Sequence, residues 1–216
     1  MKNWCQAYET IADVGAAPGY LSAHLSRHSA KRIWATDRSL AGVLAMEKTL
    51  QGTTVEIRQG MGLAPLADIS VDAVVIAGMG SDTLIPILQQ RTMLTVSPVF
   101  AIQPMQGFLA VHRYLLQARA QWIKTALVKE RHHFYGTWCV RFPAEKAEEA
   151  APELTPVQQW IAQEFIDDPL FESWLQALFT QSEQRYARMP SGTDKKELAS
   201  ALEIMDRKLR DIRGKK

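Results

Sequence analysis

The sequence predicts an α/β fold with a seven-stranded, doubly wound, mostly parallel sheet, followed by a helical C-terminal domain. Short apolar or β-branched runs alternate with amphipathic helical patterns through residue 143, which is typical of parallel strands covered on both faces. The strand-like runs lie near residues 10–14, 32–36, 53–58, 71–77, 96–102, 122–129 and 134–142. The helical patterns between them lie near residues 18–28, 39–50, 81–91 and 107–120.

The last two strand-like runs are joined only by residues 130–133, a connection too short for a parallel crossover. They must therefore form an antiparallel hairpin at one end of the sheet. Seven strands that end in such a hairpin resemble the class I methyltransferase fold. The hairpin separates this pattern from that of ordinary dehydrogenases.

The first strand-like run leads into a glycine-punctuated turn with the spacing D-x-G-x-x-x-G at residues 13–19. Gly15 lets the backbone turn sharply, and Gly19 removes a side chain where a ligand must approach the start of the next helix. The spacing differs from the dinucleotide fingerprint and favours a cofactor without a pyrophosphate, with S-adenosylmethionine (SAM) as the leading candidate. Asp13, at the start of this loop, and Tyr20, directly after it, are further candidates for binding the cofactor. A tight turn without a ligand is the alternative.

Asp37 ends the second strand-like run, 24 residues after Asp13. In nucleotide-binding sheets an acid at the tip of the second strand binds a ribose diol. A carboxylate suits this task because it only accepts hydrogen bonds and can take both hydroxyl protons. The alternative is that Asp37 caps the helix that starts near Ser39.

Two later glycine pairs also follow strand-like runs, where ligands bind in sheets of this kind. Gly60 and Gly62 follow the third run, and Gly78 and Gly80 follow the fourth. Turn chemistry alone does not explain why every glycine cluster lies at a carboxyl end. The sequence therefore predicts one ligand-binding edge, which also includes Met61 and Met79.

Length, cysteine content and hydropathy limit the class of protein. The 216 residues can form one sizeable α/β core plus a smaller appendage. The two cysteines, Cys5 and Cys139, lie far apart, so they form no metal-binding spacing and favour a reducing compartment. No apolar run reaches membrane-spanning length and no signal peptide opens the chain. We therefore expect a cytoplasmic protein without a metal or a membrane partner; its oligomeric state is not predicted.

The formal net charge of +2 hides an uneven distribution. Residues 1–143 hold 14 Lys/Arg against 9 Asp/Glu, residues 144–184 hold 1 against 9, and residues 185–216 hold 10 against 5. Two basic regions around an acidic connector are compatible with a nucleic-acid partner. A solvated helix end explains the last basic region almost as well.

The C-terminal part is predicted to be helical. Residues 144–153, rich in Ala, Glu and Pro, are a predicted linker between a SAM-binding domain at 1–143 and a helical domain at 154–216. The last helical pattern carries a heptad seam, and its predicted antiparallel partner is the segment 170–189. Asp194 and Glu197 predict a capping box at its start. The seam residues are Leu198, Leu202, Met205, Leu209 and Ile212.

Four motifs, taken in order, carry a family likeness: Asp13-Val-Gly15, Gly60-Met-Gly62, Ile76-Ala-Gly-Met-Gly80 and Ile102-Gln-Pro104. With the helical tail they resemble the bacterial tRNA (adenine-22 N1) methyltransferase family over essentially the whole chain. The most specific motif is Ala-Gly-Met-Gly after the fourth strand, since generic methyltransferases carry an acidic or Asn-Pro-Pro sequence there.

The resemblance implies SAM-dependent methylation of N1 of an adenine in tRNA, with the helical tail helping to hold the RNA. Tyr20 and Phe108 are candidate surfaces for stacking the target base, with core packing as the alternative for Phe108. No catalytic residue is identified. The implied substrate contacts are Gly80, Gln103 and Pro104 near the strand ends, and Arg207, Lys208 and Arg210 on the tail.

The chain departs from the family pattern at three polar positions. The family has Ser-Asp-His where this chain has residues 16–18, Ala-Ala-Pro. Met61 replaces an acid that would bond the adenine amino group of SAM, and Met105 replaces an asparagine. Losing the acceptor at position 61 costs roughly 1–3 kcal/mol of cofactor binding. The family also has a helix before the first strand, so we expect either a truncated start or a trimmed protein.

Three functional hypotheses remain open from the sequence. The first is an active tRNA methyltransferase. The second is a divergent member that binds SAM or RNA with weak or lost catalysis. The third is a methyltransferase with another acceptor, such as a different RNA or a small molecule.

Overall fold

The structure, a computed structural model, describes residues 4, 7–28, 32–143 and 150–214. Seven strands form one sheet: Thr10–Val14 (β1), Arg32–Asp37 (β2), Glu56–Gln59 (β3), Ala73–Gly80 (β4), Val99–Gln106 (β5), Gln121–Glu130 (β6) and His133–Arg141 (β7). Their order is β3-β2-β1-β4-β5-β7-β6, and β7 is antiparallel to both of its neighbours. The predicted doubly wound sheet with a terminal hairpin is confirmed.

Helices connect the parallel strands and continue into the C-terminal part. Predicted and observed elements agree in number and order through residue 143. The helices are Tyr20–His28 (α1), Leu40–Thr49 (α2), Ser81–Gln89 (α3), Phe108–Gln117 (α4), Pro156–Trp160 (α5), Phe171–Arg188 (α6) and Thr193–Arg213 (α7).

Two element boundaries differ from the prediction for identifiable reasons. Strand β3 starts later than predicted because Thr53 belongs to the turn after α2, where its backbone N–H and its hydroxyl both donate to the carbonyl of Leu50. Strands β4 and β5 run past their predicted ends and stay paired, Met79 with Pro104 and Gly80 with Gln106. This extension carries the predicted substrate residues at the end of β5 alongside the glycine turn of β4.

The C-terminal helices share a hydrophobic core with the sheet. One continuous cluster includes residues of β4 and β5 as well as residues of α6 and α7. Phe108, at the start of α4, contacts the rings of Trp138, Phe165 and Trp174, with centroids 4.7–5.8 Å apart. Phe108 therefore packs in the core, which is the alternative to base stacking that the sequence left open. Of the predicted linker, residues 144–149 lie outside the described residues, and the two-domain division remains a prediction.

A buried polar cluster joins the same parts of the molecule. One carboxylate oxygen of Glu164, Oε1, accepts from Trp138 Nε1 at 2.7 Å and lies 2.9 Å from His112 Nδ1. The other ring nitrogen of His112, Nε2, lies 2.8 Å from the carbonyl of Gln158. Because a carbonyl only accepts, Nε2 is the ring nitrogen that carries a hydrogen toward Gln158. The cluster links β7, α4 and the segment after α5.

Helices α6 and α7 form the predicted antiparallel hairpin. The buried seam of α7 includes Leu198, Met205 and Leu209 as predicted, and also Ala201; the predicted seam residues Leu202 and Ile212 are half-buried. At the end of α7, Arg213 donates to Glu172 at 3.2 Å and to Gln176 at 2.7 Å.

The predicted capping box at Asp194 and Glu197 is wrong. Helix α7 begins at Thr193, and its N-cap is Gly192, which has no capping side chain. Asp194 therefore lies inside the first turn, where its charge still suits the helix dipole. None of the described helices is long and apolar enough to cross a membrane.

Candidate active site

The carboxyl ends of β3, β2, β1 and β4 meet at one edge of the sheet. The N–H of Ala16 donates to the carbonyl of Thr36 at 2.9 Å, and the N–H of Gly60 donates to the carbonyl of Asp37 at 3.0 Å. These two bonds hold the first glycine loop, the acid that ends β2 and the turn after β3 side by side. The chain adds strands outward on one side of β1 and then, from β4 on, on the other side. The point between β1 and β4 where this order reverses is where ligands bind in such folds.

A cavity of about 420 Å³ opens at this edge. Its volume lies within the range of roughly 300–1,000 Å³ that is typical of sites for small ligands. Five predicted cofactor residues line it: Gly15, Asp37, Gly60, Met61 and Met79. The other lining residues are Val14, Thr36, Arg38, Gly62, Asp82, Thr83, Pro86, Ile87 and Gln90.

Asp37 lies on the cavity wall and is held in place by the start of α2. Its Oδ1 accepts from the backbone N–H and the hydroxyl of Ser39, at 2.9 and 2.8 Å, while Oδ2 has no partner among the described residues. The hydroxyl of Ser39 caps α2 by accepting from the N–H of Gly42. The cap is therefore Ser39, and Asp37 retains one free acceptor. A Cβ on Gly42 would approach Asp37 Cγ to 2.6 Å, so glycine there leaves room for the carboxylate.

Met79 reaches across the cavity floor to Gly15. A Cβ on Gly15 would overlap the terminal methyl group of Met79, and the φ of +69° at Gly15 is one that side-chain-bearing residues rarely adopt. The backbone conformation therefore favours glycine at position 15, and the methyl group of Met79 occupies the space beside it. Because the methionine side chain is flexible, a ligand over Gly15 can displace it at little cost.

Asp13 does not line the cavity. Its side chain is 3% exposed, and its Oδ2 accepts from the hydroxyl of Ser22 in α1 at 2.6 Å. Burial raises the pKa of Asp13 from 3.8 to about 6, and the Ser22 bond opposes that rise. Since folding favours the protonated form, this carboxyl destabilises the fold above about pH 6, and the effect vanishes below about pH 4. Through its bond to Ser22, Asp13 connects the end of β1, where the glycine loop begins, to α1.

Three other predicted cofactor residues lie outside the cavity lining. The N–H of Gly19 donates to the carbonyl of Ala16 at 2.6 Å and closes the first loop. Tyr20 begins α1 with 73% of its surface exposed. Gly78 occupies an irregularity in the β4–β5 pairing with φ at +79°. Their contact with a cofactor stays a prediction.

The predicted substrate residues fall into two groups. Gly80, Gln103 and Pro104 lie on the extended β4–β5 pair next to Met79, and the Gln103 side-chain amide donates to the carbonyl of Pro104 at 2.8 Å. The other group, Arg207, Lys208 and Arg210, lies on α7 and does not line the cavity; Arg210 is paired with Asp206.

Sequence reasoning missed the wall of the cavity formed by α3 and the residue after it. Asp82, Thr83, Pro86, Ile87 and Gln90 line this wall, at spacings that place them on one face of a helix. That spacing, directly after the Gly78–Gly80 turn, is the signal that identifies them. Thr36 was also missed: its buried hydroxyl oxygen has no partner among the described residues.

Several solved structures share this fold. Among solved structures, TrmK, the M1A22 tRNA methyltransferase of B. subtilis, matches with a TM-score of 0.78 at 19% identity, over 96% of this chain and 95% of that one. TrmK of M. capricolum, solved with S-adenosylhomocysteine, matches at 0.76 and 16% identity over 97% and 96% of the two chains. A ribosomal protein L11 methylase from Lactobacillus delbrueckii matches at 0.55 and 19% identity over 66% and 75%.

These likenesses confirm the predicted fold, including its helical C-terminal part. A search of curated proteins found no match to the sequence. The family profile described as a methyltransferase domain matches residues 1–137. Because that match extends over more than half of the 216 residues, the chain belongs to the methyltransferase-domain family.

Proposed function

We propose that this protein is a SAM-dependent methyltransferase that acts on tRNA, at N1 of an adenine. The observation that carries the proposal is the cavity at the switch point, lined by Asp37 and by glycines at the ends of two strands, β1 and β3. The near-complete overlap with TrmK structures, extending through the C-terminal helices, supports tRNA as the substrate class. A tRNA substrate in turn supports a cytoplasmic protein.

The residues of the cavity fit SAM. The free Oδ2 of Asp37 can accept from a ribose diol, and the unpartnered Thr36 hydroxyl offers a further polar contact. At Gly15 a ligand can approach the backbone closely once the flexible Met79 side chain moves aside. A second carboxylate, Asp82, gives the cavity an acidic balance that suits a sulfonium cation. Bound SAM supplies an electrophilic methyl group on that sulfonium.

The chain's own part in the reaction is positioning. Adenine N1 carries a lone pair, so attack on a methyl group needs no strong base, and aligning donor and acceptor provides most of the rate. A base in folded tRNA must first be turned out of its stack. The extended β4–β5 pair, with Gly80 and Pro104, borders the cavity where such a base would enter.

A divergent member with weak catalysis is the second candidate. The observation that favours it is the apolar rim: Met61 is 66% exposed and Met105 is 51% exposed at positions where the resembling family has polar side chains. Polar groups near the reacting atoms stabilise the transition state, so their replacement lowers the rate of methyl transfer more than it lowers the binding of SAM or RNA.

One experiment separates these candidates. Calorimetric titration with SAM should show binding, and incubation with unmodified bulk tRNA followed by mass analysis of its nucleosides should show 1-methyladenosine. Absence of heat at millimolar SAM would contradict the cofactor assignment. Binding without methyl transfer would favour the divergent member, and a methyl group on another acceptor in a broader screen would favour the third hypothesis.

Helix α7 is proposed to hold tRNA through Arg207, Lys208 and Arg210. Changing all three to glutamine should lower tRNA affinity and reduce the slope of log affinity against log salt by about one for each phosphate that is no longer bound. Filter binding at several salt concentrations measures both. The fold should persist, because exposed pairs such as Arg210–Asp206 contribute only about 0–1 kcal/mol.

The matched control changes three exposed cations elsewhere, Arg27 on α1, Lys48 on α2 and Lys129 on β6, to glutamine. This control should leave the salt slope closer to that of the native protein. An equal decrease in both variants would mean that α7 attracts RNA only through general charge.

A further inference from the structure

We infer that Gln90 recognises the adenine of the cofactor and supplies the polar contact that Met61 does not. This inference rests on the proposed function, since it takes SAM as the cofactor. Met61 lines the cavity and ends in a thioether, which is at most a weak hydrogen-bond acceptor. A cofactor adenine in this cavity needs another partner for its polar edge.

Gln90 connects the end of α3 to the turn after β3. Its side-chain oxygen, Oε1, accepts from the backbone N–H of Leu63 at 2.8 Å. A Cβ on Gly62 would overlap that same oxygen, so the approach depends on glycine at position 62. The amide of Gln90 is therefore fixed against the Gly62–Leu63 backbone while it also lines the cavity.

The Leu63 bond determines which way round the amide faces. Because only the oxygen can accept from an N–H, Oε1 points to Leu63 and Nε2 lies on the other side. The carbonyl oxygen keeps a second lone pair, and Nε2 has two hydrogens with no partner among the described residues. One edge of adenine presents an amino donor beside a ring-nitrogen acceptor, which a glutamine amide pairs with two hydrogen bonds.

The surroundings of Gln90 suit a flat, mostly apolar ring. Met61, Pro86 and Ile87 line the same cavity and offer apolar surfaces against which a base can pack. The second acid of the cavity, Asp82, lies eight residues earlier on the helix, about 12 Å along its axis. The amide of Gln90 is thus separated from Asp82 and has apolar groups among its neighbours in the cavity lining.

The test compares S-adenosylhomocysteine with its inosine analogue, in which a carbonyl oxygen replaces the amino group. Calorimetry on the full chain should show that the native protein prefers the adenine compound at least tenfold, because the fixed amide cannot rotate to suit inosine. Gln90→Leu should lower affinity for the adenine compound about 10- to 100-fold and bring the preference close to one. Gln90→Glu keeps an acceptor for Leu63 and for the adenine amino group but loses both donors, so its affinity for the adenine compound should lie between those of native protein and Gln90→Leu, while the preference for adenine is retained.

Gln89→Leu, at the exposed neighbouring position, is the matched control and should retain the native preference. Circular dichroism confirms that each variant is folded. Retained preference in folded Gln90→Leu, or equal binding of both compounds by the native protein, would overturn this inference alone. No binding of S-adenosylhomocysteine by the native protein would overturn the proposed function and this inference together.

Discussion

Replacing Asp37 with alanine should weaken SAM binding at least tenfold. The carboxylate is half-buried on the cavity wall, and its Oδ2 is free of other described partners. A hydrogen bond to a charged group contributes about 1.5–3 kcal/mol, so its loss corresponds to one to two decades of affinity. Calorimetric titration of native and variant protein at the same salt concentration measures the difference. Unchanged affinity would mean that Asp37 does not contact the ribose.

A second set of variants separates ribose binding from the support that Asp37 gives to α2. Asp37→Asn keeps an acceptor for Ser39 but loses the charge, so it should also weaken SAM binding while α2 stays in place. Ser39→Ala removes the cap itself and should lower the free energy of unfolding by about 1 kcal/mol. Its SAM affinity should stay close to native. If Ser39→Ala weakens binding as much as Asp37→Ala, the role of Asp37 is structural.

The edge of the sheet that holds the site could be predicted from local patterns. The alternation of apolar runs and helical patterns determines a parallel sheet, and the carboxyl ends of its strands must lie together. Gly15, Asp37 and Gly60 each follow such a run directly, so their meeting at one cavity follows from the topology. The short connection after β6 likewise specified the terminal hairpin.

The opposite wall of the site could not be predicted in the same way. Gln90 meets Leu63 across 27 residues, and the contact depends on how α3 lies against the sheet. Asp13 shows a related limit: its position in the strand was evident, but its burial against Ser22 depends on the packing of α1. The start of α7 was missed because Gly192 takes the cap position without any side-chain signal.

Replacing Glu164 with alanine should lower the free energy of unfolding by about 3–5 kcal/mol. Its carboxylate is the shared partner of Trp138 and His112, and both it and the histidine are buried. Removing one member of a buried ionic cluster leaves the others without partners, and this penalty is much larger than that of a surface pair. Urea denaturation followed by circular dichroism measures the change.

Glu183→Ala removes an exposed acid from α6 and should change stability by less than about 0.5 kcal/mol. Glu164→Gln retains one carbonyl acceptor for Trp138. Its loss in free energy of unfolding should lie between those of Glu164→Ala and Glu183→Ala. A loss below about 1 kcal/mol in Glu164→Ala would mean that water replaces the carboxylate and that the cluster is not tightly packed.

The position of Glu164 also predicts which of two affinities, for tRNA or for SAM, should decline more in Glu164→Ala. Its backbone carbonyl accepts from the Thr125 hydroxyl of β6 at 3.0 Å, and nearby Asp168 accepts from the N–H of Leu127 at 2.8 Å. These bonds attach the C-terminal segment to the β6–β7 side of the sheet, whereas the cavity proposed to bind SAM lies at the ends of β1–β4. At temperatures where Glu164→Ala is still folded, tRNA affinity should therefore decline more than SAM affinity. An equal decline in both would mean that the C-terminal helices support the cofactor cavity itself, rather than only the surface proposed to hold RNA.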